Sequence, residues 1–134
     1  MGLDESTIRS LDLVYNFSTN SQKIGTLFGV LDKTKTSMGK RYLREQILHP
    51  LQNKKEIERR QKYIGAFVND KRLLDQIQEK LKYVSDMDAI LNRISLNRAG
   101  TKDMIQLKKS LQSVVSVQEI IEKSGNRELM KIFK

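Results

Sequence analysis

Apolar side chains recur at helical spacing along most of the chain. Between residues 57 and 94 they return every three or four positions, with charged residues on the opposite side. No run of β-branched residues alternates with polar ones at a period of two. The pattern predicts an all-α fold, an irregular multi-helix bundle of about six helices. These helices are predicted over residues 21–32, 37–49, 54–69, 71–84, 86–97 and 102–123, and the pattern is weaker over the tail, 126–134.

Short polar residues and glycines mark the ends of these helices. The predicted N-caps are Ser37, Asn53, Ser85 and Thr101. Asn53 is followed three residues later by Glu56, as in a capping box. Asp86 and Asp103 are predicted to lie at helix N-termini, where the helix dipole stabilises a carboxylate. Gly125 is predicted to end the long last helix.

The apolar stripes also predict which side chains are buried. The stripe of the last helix consists of Met104, Leu107, Leu111, Val114 and Ile121. Both Met104 and Met87 are therefore predicted to fill the core. Tyr42 could stack on a nucleic-acid base, but its position beside Met38 predicts burial.

The composition limits the chemistry available to the chain. It has 134 residues, the size of one ordinary domain, with no Cys and a single His. Disulfides, zinc fingers and His-centred catalytic triads are therefore excluded. No stretch approaches the roughly 20 apolar residues that span a bilayer, and the first residues lack a signal peptide pattern. We expect no membrane partner.

Positive charge is concentrated in the middle of the sequence. Residues 33–72 carry twelve Lys or Arg against four Asp or Glu, so they supply +8 of the net +9. Such an excess favours a polyanionic partner such as nucleic acid. The candidate phosphate contacts are Lys33, Lys35, Lys40, Arg41 and Arg44. A solvated or interdomain role for these five side chains is favoured over DNA contact.

Other candidate chemistry is weak. Gly39-Lys40 could end a phosphate-binding loop, but Thr34 and Arg41 stand where such a loop needs Gly and Ser or Thr. His49 lacks a neighbouring nucleophile or orienting carboxylate in the sequence, so we interpret it as structural. No metal site is predicted, since the paired acids at 86 and 88 fall on different helix faces. We therefore predict no catalytic, cofactor-binding or metal-ligating residues.

The order of side chains over 25–51, GTLFGVLDKTKTSMGKRYLREQILHPL, closely resembles the start of the core domain of MutS-family DNA mismatch-repair proteins. That pattern runs Gly-Ser/Thr-Leu, Leu-Asp-x-Thr-x-Thr, Gly-x-Arg-x-Leu-Arg and then His/Gln-Pro-Leu. Further blocks lie upstream and downstream, including the segment from Arg93 to Leu111, and the resemblance covers roughly residues 3–115. Ser37 and Thr101 depart from it, because many members have Pro at both positions.

The resemblance implies a fragment, residues 1–134, from the N-terminal half of the helical core (lever) domain, before the lever helices and the clamp. It implies a structural and allosteric coupling segment that links the ATPase to the DNA clamp and performs no chemistry itself. The parent protein would use ATP and magnesium and bind mismatched double-stranded DNA as a homodimer or heterodimer. It would also meet a MutL-type partner and act in the cytoplasm at the nucleoid.

Two other interpretations remain open. A stand-alone basic helical module could bind nucleic acid non-specifically, which the charge of residues 33–72 supports. The chain could also be an enzyme in its own right, but no nucleophile–base pair or metal-binding cluster in the sequence supports this interpretation. The mismatch-wedge motif Phe-x-Glu and the ATPase P-loop of MutS proteins are both missing from this sequence. Finding them in flanking coding sequence would favour the coupling segment.

Overall fold

All regular secondary structure in the described chain is helical. The computed structural model describes the backbone of residues 3–133 and the side chains of residues 3–132. The helices are α1 (Glu5–Ser10), α2 (Leu27–Leu31), α3 (Ser37–Leu48), α4 (Lys54–Asn69), α5 (Lys71–Leu81), α6 (Met87–Ser95), α7 (Thr101–Ser124), α8 (Arg127–Met130) and a 3₁₀-helix (Lys131–Phe133). Between residues 3 and 133 no strand forms, and Asn16 and Ser21 make one isolated bridge. The all-α prediction is confirmed.

The five longest helices lie close to their predicted positions. Helix α4 has the predicted bounds, and α3 ends one residue early at the C-cap His49. Helix α5 stops at Leu81 because the N–H groups of Tyr83 and Val84 turn back to the carbonyls of Lys80 and Leu81. Helix α7 ends as predicted, at Gly125, which adopts a left-handed φ of 66°.

The predicted helix over 21–32 is wrong except for its last turn and a half. Helix α2 begins only after Thr26, whose Oγ1 accepts from the N–H of Gly29 at 2.9 Å. The preceding residues form a tight loop in which Asn20 and Gly25 have φ values of 50° and 74°. A right-handed helix cannot continue through these conformations. Helix α1 was not predicted at all from the apolar pattern.

Three predicted N-caps are wrong by one position. The observed N-caps of α3, α6 and α7 are Thr36, Asp86 and Gly100. Ser37 and Thr101 instead occupy the first helical position, which also favours Pro. These two residues can therefore stand where the MutS pattern has Pro without disturbing the helix start.

The chain divides into two compact units, Met1–Ile57 and Glu58–Lys134. In the first unit, Leu13, Val14 and Phe28 form a buried cluster, against which residues of α1 and α3 pack. The N–H of Phe28 donates to the carbonyl of Leu13 at 2.9 Å. This bond fixes the start of α2 beside the segment that follows α1.

Gly29 lies where α2 passes the loop that precedes it. A Cβ added at Gly29 would lie only 1.8 Å from the carbonyl oxygen of Lys23. The hydroxyl of Thr26 also donates to the carbonyl of Gln22 at 2.7 Å. Only glycine therefore fits at position 29, and the loop and α2 form one closely packed turn.

The second unit is built around the packing of α5 on α7. Leu73 and Ile77 of α5 form a buried cluster with Val117 and Ile121 of α7 and with Leu129 of α8. The serines at 110 and 113 complete the buried face of α7.

The apolar stripe predicted for α7 lies largely on another side of the helix. Met104 and Leu111 are 44% and 53% exposed, so the prediction that Met104 fills the core is wrong. Val115, which shares their side of the helix, is 54% exposed. Of the predicted stripe only Ile121 is fully buried. Met104, Leu111 and Val115 are called the exposed α7 strip below.

Ser110 joins α7 to the turn that precedes α6. Its side chain has no solvent exposure. Its Oγ donates to the carbonyl of Gln106 at 2.8 Å and accepts from the N–H of Ser85 at 2.9 Å. The hydroxyl thus satisfies a backbone donor 25 residues away in sequence.

A salt bridge connects α6 to the start of α7. Asp103 Oδ1 accepts from Nε and Nη2 of Arg93 at 3.1 and 2.5 Å. Asp103 Oδ2 accepts from the N–H of Gly100 at 2.9 Å. The hydrogen bonds from Arg93 are the main cause of the lowered pKa of Asp103, and the hydrogen bond from the Gly100 N–H lowers that pKa further. The position predicted for Asp103, at a helix N-terminus, is confirmed.

Candidate nucleic-acid interface

The candidate basic residues surround the turn between α2 and α3. Asp32 organises this turn, because its Oδ1 accepts from the N–H and the hydroxyl of Thr34 at 3.2 and 2.6 Å. The hydroxyl bond is the main cause of the lowered pKa of Asp32. Thr36 Oγ1 then caps α3 by accepting from the N–H of Gly39 at 3.0 Å. The Asp-x-Thr-x-Thr part of the motif therefore builds the start of α3.

Lys40 is held over this turn. Its Nζ lies 3.7 Å from Asp32 Oδ2 and 5.7 Å from the centroid of the Phe28 ring. The ring face and the carboxylate both attract the ammonium group. Lys40 therefore has a structural role within the turn in addition to its charge.

Three of the five candidate residues line one cleft of about 270 Å³. Lys40, Arg41 and Arg44 lie along the same half of α3. The remaining lining residues are Gln22, Phe28 and Ser37. Among the residues described, Arg44 makes no ion pair or hydrogen bond, so its guanidinium is available to an external group. Three cations around one cleft make it attractive to an anion.

Lys33 and Lys35 lie outside this cleft. Both are exposed in the turn between α2 and α3, and neither lines the cleft. The structure thus brings Lys40, Arg41 and Arg44 together and leaves the two loop lysines apart from them. Charge clustering in the sequence could not separate the two groups, because the separation depends on the turn that Asp32 builds.

The exposure of Tyr42 and the position of Gln22 differ from what the sequence indicates. Tyr42 is 58% exposed, so the prediction that it is buried is wrong. Gln22 lines the cleft although nothing in the sequence marks it, since it lies in the loop that was predicted to be helical. The close approach of this loop to α2 at Gly29 is what places Gln22 there.

The geometry around Gly39 does not fit an ATP site. A phosphate-binding loop directs free backbone N–H groups at its ligand. Here the N–H of Gly39 donates to Thr36, and Lys40 lies inside the first turns of α3 beside Asp32. The N–H of Gly39 is therefore already paired, and the cleft can attract a phosphate only through its side chains.

The described part of the chain has neither a metal-binding cluster nor a helix suited to a membrane. Within it, no three His, Cys, Asp or Glu side chains come together as a metal site would require. No helix in it is both long and apolar enough to cross a membrane. His49 lies at the end of α3, 3.4 Å from the carboxylate of Glu45. The expectation that His49 has no neighbouring carboxylate is therefore wrong, because Glu45 lies one helical turn before it; the pair is exposed.

Known proteins identify the family of this chain. The sequence model described as MutS domain III matches residues 6–132. The DNA mismatch repair protein MutS of Thermosipho melanesiensis is 41% identical over 126 residues, which is 94% of this chain and 15% of that protein. The Petrotoga mobilis protein of the same name is 45% identical over 89% of this chain and 14% of its own length.

MutS of Clostridium perfringens is 43% identical over 91% of this chain and 13% of that protein. The chain thus spans about one seventh of the length of these curated relatives. The similarity extends through α1 to α8, so it includes both the basic cleft and the exposed α7 strip. The chain belongs to the MutS family of DNA mismatch-repair proteins, and its residues 6–132 are a MutS domain III.

Proposed function

We propose that this chain is a non-catalytic coupling segment of a mismatch-binding ATPase, linking the ATPase to the DNA clamp. The observation that carries this proposal is the match to MutS domain III over residues 6–132. In the longer protein, mismatched double-stranded DNA, a dimer mate and a MutL-type protein would be the partners, acting in the cytoplasm. ATP and magnesium would bind in another part of the longer protein, an expectation supported by the pairing of the Gly39 N–H with Thr36.

The internal connections of the second unit support a coupling role. The Arg93–Asp103 salt bridge and the Ser110–Ser85 hydrogen bond tie α6 and its leading turn to α7. Helices connected in this way move together as a body, which is how packed elements transmit a displacement.

The exposed α7 strip supports contact with another part of the longer protein. Helix α7 packs on α5 with one side and presents apolar side chains on another. A helix that is apolar on two sides is typical of an inner layer rather than of a surface. The strip is therefore the surface through which we expect movement to enter or leave this segment.

The test replaces the strip in the full-length protein with Leu111→Gln and Val115→Gln. We expect mismatch binding without nucleotide to persist, and ATP-induced release from the mismatch to slow by at least about fivefold, a typical coupling factor. The matched control is Lys102→Gln, at an exposed position of α7 on the side away from the strip. Unchanged ATP-induced release in the strip variant would contradict the coupling role.

Direct non-specific binding of nucleic acid is the second candidate function. The cleft of Lys40, Arg41 and Arg44 favours it, because Arg44 is available to an external phosphate. Binding by such a cleft would be weak, salt-dependent and blind to a mismatch. Tight mismatch-selective binding by the 134-residue chain would replace the coupling proposal with an independent DNA-binding module.

A further inference from the structure

A second cavity lies between α5 and α7, in the unit Glu58–Lys134. Its volume is about 290 Å³, and it is lined by Lys80, Tyr83, Lys109, Gln112, Ser113 and Ser116. The four lining residues of α7 have the spacing i, i+3, i+4 and i+7, so they share one face of the helix. Lys80 comes from the last turn of α5, and Tyr83 from the turn that follows. The cavity is an open depression between the two helices, since Lys80, Tyr83, Lys109 and Gln112 are exposed and only Ser113 is buried.

The lining side chains all carry hydrogen-bond donors, and none is a carboxylate. Lys80 and Lys109 form no ion pair among residues 3–132. The nearest acid in sequence, Glu79, is occupied by Lys82. The cavity therefore holds two uncompensated positive charges with neutral donors between them.

Ser113 provides an independent sign that the cavity is built for a ligand. The residue is 92% buried, since only 8% of its surface is exposed. Unlike Ser110 and Ser116, its hydroxyl has no hydrogen-bond partner in the described chain. No fully enclosed polar side-chain atom in the described residues lacks a partner, so this hydroxyl keeps some access to solvent beside the cavity that the residue lines. Its donor is therefore available to a ligand that enters the cavity.

The C-terminus of α5 repels an anion in the cavity only weakly. Carbonyl groups at a helix C-terminus carry partial negative charge. Here the carbonyls of Lys80 and Leu81 already accept from the N–H groups of Tyr83 and Val84, both at 3.1 Å. The positive charges of Lys80 and Lys109 therefore dominate the field in the cavity.

We infer that this cavity binds a phosphate-type oxyanion. Lys80 and Lys109 supply charge, and Ser113, Gln112 and Tyr83 supply donors that such an anion accepts from. The cavity lies at the lower end of the roughly 300–1,000 Å³ range of pockets for drug-sized ligands. Its size therefore leaves room for a phosphate group. The inference stands apart from the coupling role and from the cleft on α3.

Titration of the ¹⁵N-labelled chain with inorganic phosphate, at constant ionic strength, tests the inference. We expect saturable shifts at the amides of residues 112–116 and at the Gln112 side-chain amide. The double variant Lys80→Gln/Lys109→Gln should bind at least about tenfold more weakly, because charged hydrogen bonds are the strongest contacts of a phosphate. Ser113→Ala should weaken binding about threefold while leaving the helices intact.

The matched control is Lys102→Gln/Lys108→Gln, which removes the same charge from exposed positions of α7 outside the cavity. It should bind phosphate like the unmodified chain. Shifts that do not saturate, or equal weakening in the control and the cavity variant, would overturn the inference. So would unchanged binding by Lys80→Gln/Lys109→Gln.

A second arm identifies the source of the phosphate. A short DNA duplex is added to the phosphate-saturated chain at the same ionic strength. Displacement of phosphate from residues 112–116 would assign the site to a nucleic-acid backbone phosphate. Retention of phosphate there would assign it to a free anion, and either result is consistent with an oxyanion site.

Discussion

Replacing Ser110 by Ala tests whether one buried hydroxyl holds the second unit together. The change removes the acceptor of the Ser85 N–H and leaves that donor unpaired beside a fully buried position. The carbonyl of Gln106 loses only an additional bond, since it still lies within the hydrogen-bonded backbone of α7. Almost the whole cost therefore falls on the Ser85 amide.

The expected magnitude follows from two opposing terms. An unsatisfied buried donor costs about 1–3 kcal/mol. Ala is favoured over Ser inside a helix by about 0.5 kcal/mol, which offsets part of that cost. We expect Ser110→Ala to lower the free energy of unfolding by about 0.5–2.5 kcal/mol.

Urea unfolding measures this loss. With an m-value of about 2 kcal/mol/M, the midpoint should fall by about 0.25–1.25 M without a change in m. Hydrogen exchange at the Ser85 amide should accelerate more than at other protected amides, because its own partner has been removed. The two measurements together separate a local effect from general destabilisation.

Ser116→Ala is the matched control. Ser116 also lies on α7, but its hydroxyl donates to the carbonyl of Gln112 and accepts from no described group. Its replacement should leave stability unchanged or raise it by a few tenths of a kcal/mol, roughly the gain in helix propensity. If Ser110→Ala and Ser116→Ala unfold at the same midpoint, the Ser85 bond contributes nothing and the reasoning is refuted.

Three further outcomes are expected. Gly29→Ala should destabilise the first unit by at least about 3 kcal/mol, seen as a lowered thermal midpoint, because its Cβ meets a backbone carbonyl at 1.8 Å. Gly65→Ala, with nothing within 4 Å of its Cβ on α4, should stabilise by about 0.5–1 kcal/mol, and a similar loss in both variants would contradict the steric argument. The lowered pKa of Asp103 means that the unfolded chain takes up a proton first as the pH falls. Stability from this group should be complete above the unfolded pKa, near 3.8, and decline as the pH falls through the folded pKa. Asp103→Asn should reduce that decline in acid unfolding curves, and an unchanged curve would count against it. In fluorescence anisotropy at low salt, Arg44→Gln should weaken duplex binding and its salt dependence more than Lys35→Gln, with perfect and mismatched duplexes alike. Equal effects of the two variants would show that the cleft is not the contact.

The sequence predicted helices best where caps and apolar spacing agree. Helix α4 has both Asn53, whose Oδ1 accepts from the N–H of Lys55 at 3.0 Å, and a regular apolar pattern. The wrong prediction over 21–32 was based on apolar spacing alone. Leu27 and Phe28, which contribute to that spacing, belong to the short helix α2. What ends that helix upstream is the left-handed backbone at Gly25, which an apolar pattern does not encode.

Which side of α7 is buried could not be deduced from spacing alone. The helix carries apolar residues on more than one side, and the side that packs on α5 contains Ser110 and Ser113. Burial there depends on the approach of α5 and on a hydroxyl that satisfies Ser85. For the same reason the cavity at Ser113 was missed, since lone serines and lysines give no sequence signal before their helices are paired.

The order in which the α5–α7 cluster is synthesised affects how the chain folds. Leu73 and Ile77 are buried by Val117, Ile121 and Leu129, which follow them by about 40 to 55 residues. At translation rates of about 5–20 residues per second, the apolar face of α5 waits roughly 2–11 s for its partners to be made. The cluster of Leu13, Val14 and Phe28 closes over a much shorter stretch of chain. On the ribosome, the apolar face of α5 therefore stays open to premature contacts for longer than the cluster of Leu13, Val14 and Phe28 does.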